Sequence, residues 1–235
     1  MDGTDIDGLG IAILRSPDAA RQRCDEYRSR IAGLLHEGLL SGILSHKYAK
    51  NIRLLILYAD LHVARVALWS DGPVDLLAYV TRNLLEWSLW CKVVCAAPEN
   101  IETLMNDAKA DVVDLIKRNP MYDPVLYSNV LSTRENTVTQ TAALERLWKT
   151  TSQLLKSFED NDGRLPKTTQ LGKMRNEYED WVFKECSKLL HPTAISILVL
   201  PNATEVDLEQ RRVFFRSVAL YFATGGLDAL LAMPT

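Results

Sequence analysis

Asn176 to His191 read NEYEDWVFKECSKLLH, and Pro192 follows. At about 100° per residue this stretch separates into two faces. Met174, Tyr178, Trp181, Val182 and Leu189 fall on an apolar side, and Glu177, Asp180, Lys184, Ser187 and His191 fall together on a polar one. That period specifies an amphipathic helix. Glu185 breaks the pattern as an acid set among the apolar residues. If that face is buried, the acid needs a basic partner. The expected partner is an arginine of a neighbouring helix, Arg53, Arg65 or Arg82, meeting Glu185 or Glu86.

Working outward, the same period recurs along the chain. Residues 1–15 have weak pattern and read as a loose tail. Ser16-Pro17-Asp18 is a helix start, with a capping hydroxyl, proline at the first helical position and an acid in the first turn. Tyr27, Ile31, Leu34 and Leu35 form that helix's apolar face, and Gly38 and Gly42 interrupt it. A long helix is expected over 43–70 on the spacing of Tyr48, Ile52, Leu55, Ala59, Val63 and Val66. Asp71-Gly72-Pro73 ends it and opens a mostly apolar, central helix over 74–97. Amphipathic helices are expected over 99–118 and 135–158, with a polar turn at 159–167. Residues 194–200 fit strand or helix by pattern alone. The last helix covers 205–232 and is expected to bend at Gly225-Gly226. Together these predict an all-α, single-domain bundle of seven or eight helices over residues 16–235.

Composition narrows the function classes. A net charge of −3 and 47% hydrophobic residues describe an ordinary globular chain. That charge argues against nucleic-acid binding by bulk charge and leaves room for a local basic patch. The four cysteines form no CxxC pair and read as reduced and buried rather than as metal ligands. A Gly-rich phosphate loop, HExxH, GxSxG and an EF-hand pattern are all missing, so neither a metal nor a cofactor is expected. Met1 to Gly10 lacks the pattern of a signal peptide. The apolar run 213–233 is broken by Arg216, Gly225, Gly226 and Asp228 and reads as a buried helix rather than a membrane span. A cytoplasmic protein without a membrane partner is the expectation.

Three groups of residues could carry chemistry. On the central helix, Tyr79, Arg82, Asn83, Glu86, Trp90 and Val93 share one narrow stripe. Arg82 and Glu86 stand four apart and can pair. The aromatic residues at either end predict a covered stripe, so the pair is either a structural tie or one wall of a polar cleft. His191 shares a face with Lys184 and Ser187 near a helix C-terminus, where the dipole favours an imidazolium. Beside Lys184 and Lys188 it would suit a phosphate or carboxylate; alternatively, this is a solvated polar face. Arg211, Arg212 and Arg216 form a small basic patch that reads as solvated surface rather than an RNA site. His62 reads as a core histidine.

The order long helix, Gly-Pro turn, R-N-L-L-E, amphipathic helix, Y-x8-S-x3-H-P resembles a group of bacterial helical proteins linked to the HEPN superfamily. The matching residues are Arg82, Asn83, Leu84, Leu85 and Glu86, then Tyr178, Ser187, His191 and Pro192, within roughly residues 45–200. The resemblance implies a HEPN-like bundle that works with RNA or a nucleotide, as a homodimer or with a protein partner, in bacterial defence or toxin–antitoxin systems. Many such domains are metal-independent endoribonucleases with an R-x4-6-H motif. On that pattern His191 would be the general acid or base and Arg82 or Lys184 would stabilise the phosphate. Glu86 would orient the arginine, and Lys184, Ser187, Tyr178 and Asn83 would bind. Here Lys184-x6-His191 stands where that motif would have its arginine, and lysine lacks the planar fork that grips a phosphoryl group twice. The reading is a binding or regulatory module without catalysis. The alternatives are a ribonuclease with a degenerate site and a structural subunit of a complex.

Overall fold

The structure, a computed structural model, describes residues 10–36, 48–102, 104, 175–193 and 195–232. The chain divides into two compact units, one of residues 1–101 with 170–235 and one of 102–169. The first holds every element named below. The helices expected at 135–158 and over most of 99–118 lie outside the described residues, as does the turn at 159–167. Every regular element among the described residues is helical.

Helix α1 spans Pro17–His36. The Ser16 hydroxyl accepts the Ala19 N–H at 3.1 Å, as the Ser-Pro-Asp start requires. Helix α2 spans Ala49–Leu68 and buries Ile52, Ile56, Ala59, His62, Val63 and Val66. A turn at Asp71-Gly72-Pro73 leads into α3, Val74–Ala96, which is buried nearly all round. Helix α4 spans Glu177–Leu190. The ambiguous apolar segment after it is a π-turn, Ile195–Val199, followed by a 3-10 turn, Leu200–Asn202. Helix α5 spans Glu205–Leu231 and runs through Gly225 and Gly226 without interruption. Central α3 packs against α2, α4 and, most extensively, α5. Helix α5 is the one described helix long and apolar enough to cross a membrane, and 61% of its apolar window is packed inside the protein.

The basic patch on α5 is a correction to the sequence reading. Arg216 is wholly buried. Its guanidinium donates to the carbonyls of Leu14, Arg15 and Ser70 and to Glu209. Arg212 donates to the Gly72 carbonyl at 2.9 Å and pairs with Glu205 and Glu209. These two side chains tie the N-terminal segment and the α2–α3 turn to α5. A buried cation is tolerable here because so many of its donors have acceptors.

Helix α4 is also turned relative to expectation. Its buried side is Glu179, Val182, Cys186 and Leu189, while Trp181 stays 48% exposed. The buried acid is doubly satisfied. Asn176 and Glu179 form a capping box, each side chain accepting the other's backbone N–H. Lys92 of α3 donates to the other Glu179 oxygen at 2.6 Å.

Candidate functional site

Helices α3 and α4 bring several expected residues to one surface. Arg82 pairs with Glu86 at 3.4 Å on its own helix, both half-buried rather than covered. The Arg82 guanidinium lies 4.5 Å from the ring centre of Phe183, and that of Arg175 lies 3.4 Å from the same ring. Both contacts are of cation–π type. Arg175 lies 3.7 Å from Asp180, and Lys184 pairs with Asp180. Asn83 donates to the Tyr79 carbonyl at 2.7 Å and accepts the Tyr58 hydroxyl at 3.1 Å, which ties α3 to α2.

His191 makes none of these contacts. It is the extended C-cap of α4, exposed, with its N–H bonded to the Ser187 carbonyl. Its carbonyl accepts from the Thr193 N–H and the Ser196 hydroxyl, both at 2.7 Å. The Ser187 hydroxyl is turned back to the Phe183 carbonyl at 2.8 Å. Tyr178 is half-buried, its ring 5.8 Å from that of Trp181. Thus Arg82, Glu86 and Asn83 share the α3 surface, with Lys184 across on α4. Among the described contacts none joins His191 to any of them.

Glu185 pairs with Lys188 of its own helix at 2.6 Å, not with an arginine of a neighbour. The lysine three residues along reaches the acid more directly than a side chain from another helix.

Burial sets the protonation behaviour of the neighbouring groups. Cys186 is pushed up to about 12, chiefly by desolvation, with Arg82 opposing the rise. Its thiol therefore stays protonated at neutral pH. His62 is pulled down to about 4 by burial and by Arg65. Its Nδ1 is buried with no hydrogen-bond partner. No group of His, Cys, Asp and Glu that could hold a metal occurs among the described residues.

Between α4 and α5 lies a second feature that the sequence reading did not identify. An open groove of about 640 Å3 is lined by Trp181 and Glu185 on one wall and by Asp207, Gln210, Arg211 and Phe214 on the other. The available signal was Trp181 itself, one residue before a buried valine and so placed at the edge of the helix's apolar arc.

Fold and site together define an all-α helical bundle with an arginine–aromatic surface on α3–α4 and an aromatic groove on α4–α5. No family model, curated protein or solved structure matches the chain.

Proposed function

We propose that this chain is a HEPN-like binding module for RNA or a nucleotide, and that it binds without cutting. The observation that supports binding is the half-buried Arg82 guanidinium packed over Phe183, with the largely buried Arg175 on the same ring and Lys184, paired with Asp180, beside them. Planar cations held against an aromatic ring suit phosphate oxygens and stacked bases alike. The reading without catalysis rests on His191. Phosphoryl transfer needs the acid or base and the phosphate-gripping cation within hydrogen-bond reach of one reacting group. His191 caps the end of α4, and among the described contacts none joins it to Arg82 on α3.

Incubating the purified chain with total cellular RNA, at low and high salt, tests both halves. The expected result is RNA retained at full length, with Arg82→Gln weakening retention and His191→Ala leaving it unchanged. Cleavage that disappears in His191→Ala would replace this reading with the ribonuclease. Failure to retain RNA or any nucleotide would leave the structural-subunit alternative.

A further inference from the structure

The groove between α4 and α5 contains a combination of residues that packing does not account for. Trp181 could have been buried on a helix that buries Val182 and Cys186 beside it, yet nearly half of it is exposed. The ring is not loose. Phe214 meets it edge to face at 5.3 Å, and Tyr178 flanks it on its own helix. A rigid, half-open indole is a stacking platform.

The charges around it separate into engaged and free groups. Of the three arginines at the start of α5, Arg212 and Arg216 are committed to backbone carbonyls and to Glu205 and Glu209. Arg211 lines the groove without a contact ion pair among the described residues, within electrostatic reach of Asp207. It stands three residues before Phe214, on the same side of α5. The two acids at the groove differ. Glu185 is neutralised by Lys188, whereas Asp207 accepts the backbone N–H and hydroxyl of Thr204 at the helix cap and keeps its charge, which attracts Arg211. Two amides also line the groove: Gln210, which is exposed, and Asn202, whose NH2 donates to the Leu198 carbonyl and whose oxygen is left to accept.

We infer that this groove holds one unpaired nucleobase of single-stranded RNA, stacked on Trp181, with its phosphate on Arg211 and its polar edge toward Gln210 and Asn202. The volume lies within the roughly 300–1,000 Å3 usual for small-ligand sites. A paired base cannot reach the indole, so duplex RNA is excluded. The inference rests on the RNA-binding reading above and adds to it the site and the single-stranded substrate class.

The test is fluorescence anisotropy of the full chain with a fluorescein-labelled, mixed-sequence RNA of about 12 nucleotides, single-stranded or annealed to its complement. Trp181→Ala is expected to weaken single-strand binding about tenfold, and Trp181→Phe, which keeps a stacking face, by less than about threefold. Arg211→Gln should lower the slope of log affinity against log salt by about one contact's worth, roughly 0.7. Circular dichroism confirms that each variant is folded, and the variant of the half-buried Arg211 carries the test if Trp181→Ala is not. Wild-type binding that neither variant changes would overturn the groove and leave the RNA-binding reading standing. Equal affinity for the duplex would also overturn it. No binding by the wild-type chain to either RNA would remove the RNA-binding reading and the groove with it.

Discussion

The indole of Trp87 occupies the space that a side chain at Gly226 would need: a Cβ built there would lie 2.3 Å from its Cζ3 and 2.8 Å from its Cε3. Trp87 cannot easily retreat. It is buried, and its Nε1 donates to the Leu55 carbonyl of α2 at 2.8 Å. One glycine therefore lets α5 lie close on α3 while α3 stays tied to α2. Gly226→Ala is expected to destabilise the fold by about 1–3 kcal/mol through overpacking. Gly225 provides the control, since a Cβ there meets nothing within 4 Å. Gly225→Ala should be neutral or stabilising by about 0.5–1 kcal/mol, the ordinary helix gain. Urea unfolding of the two variants separates the cases, and equal midpoints would show that the close approach is not a constraint.

Arg216 supports a second expectation. Its guanidinium serves three carbonyls from the N-terminal segment and the α2–α3 turn, together with Glu209. Removing it leaves buried acceptors without donors. Arg216→Met should cost about 2–5 kcal/mol, because carbonyls such as those of Leu14 and Ser70 lose their donors inside the protein. Arg216→Lys should restore only part of that, because an ammonium cannot span the fork's several acceptors. Urea midpoints for both variants check this, and a fully stable Met variant would contradict it.

Much of the helical layout was legible because periodicity and caps are local signals. Ser16-Pro17-Asp18, Gly72-Pro73 and the Thr204-x-x-Asp207 box all lie within a few residues of the boundaries they set. The α4 capping box was equally readable, since Asn176 and Glu179 carry its signature spacing. Arg216 was not legible. Its acceptors come from residues 202, 201 and 146 positions away, and nothing in the neighbourhood of Arg211, Arg212 and Arg216 says which of the three turns inward. Trp181 and Arg211 likewise meet one groove only through the packing of separate helices. Tertiary contact decided these points, and spacing along the chain carries no record of it.

Glu179 and Lys92 support a third prediction. The acid caps α4 through the Asn176 N–H at 3.0 Å and binds the α3 lysine at 2.6 Å, so it fixes where α4 begins and which helix it leans on. Glu179→Gln keeps the capping geometry and loses the charge pair, whereas Glu179→Ala loses both. The Gln variant should lose less than the Ala variant, whose cost should be on the order of 1–2 kcal/mol for the cap alone. Adding Lys92→Met to Glu179→Ala should cost little more, because the lysine's partner is already gone. Full additivity in the double-mutant cycle would mean that the two side chains do not interact.

His62 makes stability depend on pH. It is 2% exposed on α2, beside the rings of Tyr58 and Tyr79, with Nδ1 unpartnered. Burial and Arg65 hold its folded-state value down to about 4, below the ordinary 6.5. Between those values the unfolded chain takes a proton that the folded chain refuses. The His62 contribution is therefore fully present above about pH 6.5 and is lost progressively as pH falls toward 4. His62→Leu removes the titrating group at small packing cost, and since Nδ1 makes no hydrogen bond, none is lost with it. Urea midpoints at about pH 7.5 and about pH 5 should fall more for the wild type than for the leucine variant. An identical drop in both proteins would assign the acid sensitivity to other groups and leave His62 as a packed, non-titrating ring.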